Sequence, residues 1–146
     1  MKTVNLYSAP IDLTHATRVQ QDSIAHVGDM VHAIDFDAAE GTPVLAACDG
    51  VIVSLKDDSS TGGDDPKFED DGNYIEVLHA GDEVSEYEHL FCGSATIKVG
   101  DKVRRGDKIA EVGNTGWTEC PHLHFMVYSK DQGGKTLEIT FDQTLK

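Results

Sequence analysis

Basic residues are scarce in this chain. Twelve Lys and Arg stand against 26 Asp and Glu, a formal net charge of −14. Neither nucleic acid nor an anionic membrane surface is therefore an expected partner. There is no apolar run long enough to span a bilayer, so no transmembrane segment is expected. The opening stretch MKTVNLYSAPIDLTHATRV lacks the continuous apolar segment of a secretion signal. Two expectations for location follow: the protein stays inside the cell, or the chain is a mature or trimmed form. The cysteines, Cys48, Cys92 and Cys120, are not spaced as a CxxC metal site, and three of them leave at least one thiol free within a monomer. Long amphipathic helical periodicity is also missing.

What remains is a β pattern. At 146 residues, with 39% hydrophobic and 26% charged content, the chain has a globular composition and suffices for one domain with a real core. No linker or second domain interrupts residues 1–146. TPVLAACDGVIVSL reads as two short strands around an Asp49-Gly50 turn, and NYIEVLHAGDEVSEYEHL as strand, Gly-Asp turn, strand. ATIKVGDKVRRGDKIAEVGNTG alternates apolar residues with turns at Gly100-Asp101 and Gly106-Asp107. GTPV then GVIV is faintly echoed by GDKV then GDKI, a short sign of a duplicated unit. The acidic stretch from Asp57 to Asn73 lacks EF-hand spacing and is expected to be a solvated loop.

TECPHLHFMVY carries the chemistry. On a strand, side chains alternate between faces, so His122 and His124 point one way while Leu123 and Phe125 point into a core. A hydrolytic zinc site needs three protein ligands and an open position for water. Asp35, between Ile34 and Phe36 in VHAIDFD, is a suitable acid; His32 is three positions away and faces oppositely on a regular strand, whereas His26 is placed to fold back from a loop. His89 stands on a strand in EYEHLF. His79 is expected to be structural or groove-lining, His15 to be on the surface, and Cys120 to be a small buried thiol. Trp117 suits either a groove wall or a loop anchor.

In order along the chain, HVGDMVHAIDFDAAEGTPVLAACDGVI, YEHL, VGDKVRRGDKIAEVGNTG and PHLHFMV resemble a lysostaphin-type (LytM, duplicated hybrid motif) zinc metallopeptidase, over about residues 19–141. The linked set is specific; each motif alone is weak. The resemblance implies an all-β fold, related to the barrel-sandwich, whose antiparallel sheets form a groove over the metal. It implies a zinc endopeptidase acting on peptide bonds of bacterial peptidoglycan, located outside the cytoplasm, periplasmically or at the cell wall. Carried over by position, the metal ligands are His26, Asp35 and His124, with one Zn2+ per chain, and the catalytic pair is His89 and His122. The commonest family spacing would put a histidine at Val31; this chain fits a branch with the histidine farther upstream, His26, and with His32 at an aromatic position. His32 is the alternative first ligand. No H-E-x-x-H helix exists, so a glutamate base of that other protease class is not expected. The Gly-Asp turns also resemble those of lipoyl and biotinyl carriers, but no Met-Lys-Met-like tip is present. A non-hydrolytic module that binds the wall or regulates another hydrolase is the competing reading.

Overall fold

The His-apolar-His-apolar alternation becomes the middle of a seven-stranded sheet in the computed structural model, which describes residues 1–21, 28–131 and 133–143. Strand β12 (His122–Ser129) lies between β3 (Ile34–Asp37) and β8 (Glu83–Glu88), antiparallel to both. Beyond β3 runs β2 (Arg18–Gln20); beyond β8 run β7 (Tyr74–Leu78), β5 (Gly50–Lys56) and β9 (Lys102–Val103). Leu123, Phe125 and Val127 are fully buried and pack with Phe36, Tyr87 and Ile75. Each such burial stabilises the fold by about 1.5–3 kcal/mol. A slip of one residue in β12 would exchange this core face for the histidine face, so the apolar pattern fixes the register.

Smaller pairings complete the architecture. Strand β4 (Pro43–Leu45) pairs with β10 (Lys108–Glu111), and β1 (Lys2–Tyr7) pairs in parallel with β13 (Glu138–Phe141). Glu83 clasps β1 from the main sheet: its carboxylate accepts from the backbone N–H groups of Val4 and Asn5 and from the Tyr7 hydroxyl. Among the described residues the helical elements are short 3-10 turns, and no helix is long and apolar enough to cross a membrane.

The internal echo has a structural counterpart. Asp101 N–H donates to Lys98 O and Asp107 N–H to Arg104 O, each closing a four-residue turn with glycine third. Gly100 (φ +96°) and Gly106 (φ +90°) adopt the left-handed backbone such a turn needs. In both turns the aspartate carboxylate accepts the N–H of the first residue, Lys98 or Arg104. The echoing halves pair crosswise: GVIV lies in β5 against β9, and GTPV leads into β4 against β10.

The two strands on either side of Asp49, β4 and β5, pair with different partners. One expectation is corrected: the acidic stretch is not simply a solvated loop. It holds β6 (Gly62–Gly63), paired in parallel with β11 (Gly116–Trp117), and a 3-10 turn (Pro66–Asp71) capped by Asp65. Its anchor is Asn73, fully buried, whose amide accepts from Ser59 N–H and donates to the carbonyls of Ser59 and Leu90. Many acids in the sequence hid one fully satisfied amide.

Candidate metal centre

Register across the sheet assembles the site. Tyr74 is opposite Glu88, Glu88 opposite His124, His124 opposite Asp35, and Asp35 opposite Gln20. Directly paired residues share a face, so one transverse row crosses five strands on the side away from Leu123 and Phe125. His124 Nδ1 lies 3.1 Å from Asp35 Oδ1. Two ligands held at about 2.0–2.1 Å by one tetrahedral metal sit roughly 3.3 Å apart. The imidazole nitrogen and carboxylate oxygen thus have the separation of two corners of such a site. His122, one step along the strand, brings Nε2 to 3.8 Å from the same Asp35 oxygen. The pair is less open than the sequence pattern implies: His122 is 9% exposed and His124 6%.

His89 reaches the site by breaking the strand rule. Regular alternation after Glu88 would send it toward the core with Tyr87. Instead β8 ends at Glu88, and His89 takes a left-handed backbone (φ +67°), uncommon for a residue with a Cβ. Its ring centroid comes 4.6 Å from that of His122 and 6.0 Å from that of His124. Backbone carbonyls fix both auxiliary rings. His89 Nδ1–H donates to Thr115 O at 2.7 Å, and His122 Nδ1–H donates to Cys120 O at 2.8 Å. In the neutral rings Nε2 therefore carries the lone pair in each case.

The charges differ from ring to ring. Burial, reinforced by His122 and His124, lowers the pKa of His89 to about 4, so it is neutral at neutral pH. For His124, burial opposes charge, but the Asp35 hydrogen bond and the carboxylates of Glu88 and Asp35 outweigh it and raise its pKa. Beside them, burial and a hydrogen bond to Glu88 push Glu86 up to about 11, which keeps it protonated. Burial works against the Glu88 anion, yet His124, Glu86 and His89 hold its pKa below the usual value.

Asp35, His89, His122 and His124 are thus brought together. His32 stands outside this cluster, half-buried before β3, where it lines a groove with Val31, Ile34, Glu138 and Phe141. His26 lies outside the described residues. Among the described residues no third histidine, cysteine or carboxylate completes a set of three around a metal. His79 is structural: Nδ1–H donates to Asp49 O, and Nε2 meets Ser85 Oγ, which in turn shares a hydrogen bond with the Tyr87 hydroxyl. His15 is exposed, as is Trp117 (48%). Cys120 is exposed, which corrects the expectation of a buried thiol; its carbonyl, rather than its sulfur, serves the site. Sequence reasoning passed over Glu88 and Glu86: alternation in EYEH sets both on the face opposite Tyr87, and the pairing of β8 with β12 makes that the face of His122 and His124.

Peptidase family M23 matches residues 29–136, most of the chain and all of the clustered site. This chain belongs to peptidase family M23. An uncharacterized metalloprotease of Buchnera aphidicola is 39% identical over 95 residues, covering 65% of this chain and 22% of that protein. The peptidoglycan DD-endopeptidase ShyC of Vibrio cholerae is 33% identical over 113 residues, covering 76% of this chain and 23% of that protein. This M23 chain thus spans less than a quarter of the length of the curated relatives it matches. Among solved structures, the catalytic domain of lysostaphin from Staphylococcus simulans superposes with a TM-score of 0.57 and 29% identity, covering 75% of this chain and 78% of that one. The catalytic domain of the M23 protein EnpA from Enterococcus faecalis, at 24% identity and a TM-score of 0.61, shares the M23 fold over 84% of this chain and 85% of that one.

Proposed function

We propose that this M23 chain is a zinc-dependent metalloendopeptidase domain that hydrolyses peptide bonds in peptidoglycan cross-links or stem peptides, with residues 1–146 acting as one unit. The observation that carries the reading is the convergence of Asp35 Oδ1 and His124 Nδ1 at ligand-to-ligand distance, with the rings of His89 and His122 beside them. The donor set of two imidazoles and one carboxylate suits zinc. His26, Asp35 and His124 would hold one ion, with His26 supplied by the segment before Gly28. Bound there, zinc lowers the pKa of water toward about 7 and polarises a carbonyl.

The chain's own groups do the rest. The carboxylate of Asp35 offsets part of the metal charge. His89 and His122 offer Nε2 lone pairs, pre-set by their Nδ1–H bonds to Thr115 and Cys120, to take up a proton and return it to the leaving amine. Their rings are fixed before substrate arrives, so little reorganisation is needed at the moment of reaction. A peptidoglycan substrate assigns the enzyme to the space outside the cytoplasmic membrane.

The test is release of soluble muropeptides from a panel of purified peptidoglycans, with and without a zinc chelator. Cleavage that stops with chelator and returns with zinc is expected. A zinc-loaded protein that cuts none of the panel yet binds wall fragments or a partner hydrolase would replace this reading with that of a non-hydrolytic regulatory module.

A further inference from the structure

His124 lies between two carboxylates. Asp35 Oδ1 is 3.1 Å from Nδ1 on one edge of the ring, and Glu88 Oε2 is 3.5 Å from Nε2 on the other. The register places them together: Glu88 and His124 are directly opposite on β8 and β12, so their side chains leave the sheet as neighbours on one face. Glu86 lies two residues earlier on the same face of β8.

We propose that Glu88 is a positioning residue for the metal centre, accepting from Nε2–H of His124 and so directing the Nδ1 lone pair at the metal. This rests on the zinc reading above. An imidazole that binds metal through one nitrogen carries its proton on the other, and a carboxylate facing that proton fixes both the tautomer and the ring plane. It also makes the ligating nitrogen more basic. Glu88 touches neither metal nor substrate in this role; it acts through His124. The competing role is substrate contact, because Glu88 also lines an acidic cleft of about 330 Å³ with Glu76, Glu86 and Tyr74.

Two near-isosteric variants separate the roles. Glu88→Gln keeps an oxygen that accepts from Nε2–H; Glu88→Met keeps the shape without the acceptor. Zinc affinity of the full chain is measured by competition with a chromophoric chelator, and metal-free melting is recorded alongside. The expected result is a 10–100-fold loss of zinc affinity in Glu88→Met, a smaller loss in Glu88→Gln, and metal-free melting alike in the two variants. Wild-type zinc affinity in Glu88→Met, with a raised KM, would overturn the inference in favour of substrate contact and leave the zinc reading standing. Equal losses in both variants would also overturn it, since the acceptor would then be irrelevant. Failure of the wild type to bind zinc would overturn the zinc reading and this inference together.

Discussion

Replacing Gly116 by alanine tests how the folded acidic segment supports His89. Gly116 has φ +85°, where a side chain costs about 1–2 kcal/mol. A Cβ there would stand 2.8 Å from Gly72 Cα and 3.2 Å from His89 Nδ1. The first contact is with backbone, so Gly72 or β11 must retreat, at a cost of about 1–3 kcal/mol for overpacking. The second presses on the nitrogen that donates to Thr115 O, the bond that sets the His89 tautomer. We expect Gly116→Ala to lose about 3 kcal/mol in urea unfolding, in line with those two costs, and to lose most of its turnover with zinc still bound. Gly93→Ala is the control. It has φ +73° but nothing within 4 Å of the place its new methyl would take, so only the conformational cost remains, about 1–2 kcal/mol. If Gly116→Ala is no less stable than Gly93→Ala and equally active, the close approach of Gly72 and Gly116 does not brace His89.

Four other outcomes follow from the geometry. His89→Ala and His122→Ala should each retain zinc and lose about 10²–10⁴-fold in kcat, read by metal analysis and muropeptide release, whereas His124→Ala should lose both metal and activity. His26→Ala should lose zinc and His32→Ala should keep it; the reverse pattern would hand the first ligand position to His32. Asn73→Ala removes the acceptor of Ser59 N–H and one of the two donors to the Leu90 carbonyl, whose bond from the Thr115 hydroxyl remains, and should cost about 1–3 kcal/mol in all, measured by urea denaturation. Burial lowers the pKa of His79 below its unfolded value. The unfolded state then binds the extra proton first, so the stability from His79 is complete above about pH 6.5 and is lost as pH falls through the imidazole range. A His79→Asn variant should show a shallower decline of unfolding free energy between pH 7 and pH 5.

How much of this was legible varied with the range of the interactions involved. The faces of β12 followed from local alternation, and so did the burial of Ile34 and Phe36 around Asp35. The paired Gly-Asp turns were legible because their hydrogen bonds close within four residues. Strand pairing over long separations was not: Asp49-Gly50 has the residues of a hairpin turn, yet β5 finds its partners in β7 and β9. Glu88 was hidden because its importance comes from lying opposite His124, a residue 36 positions away, and no property of YEHL announces that register. His89 was assigned to a strand, and its left-handed backbone shows that the useful direction of its ring depends on leaving one.

The transverse row has a consequence for the life history of the chain. Asp35 and His124 are 89 residues apart in sequence, and β12 must enter between two strands made earlier, β3 and β8. Such distant pairings form slowly, because loop closure precedes any gain from contact. Until β12 is seated, Asp35 faces no imidazole from that strand and His89 has no ring partner there. In this order of assembly the Asp35–His124 pair and the His89–His122 ring contact arise in the same event that completes the seven-stranded sheet.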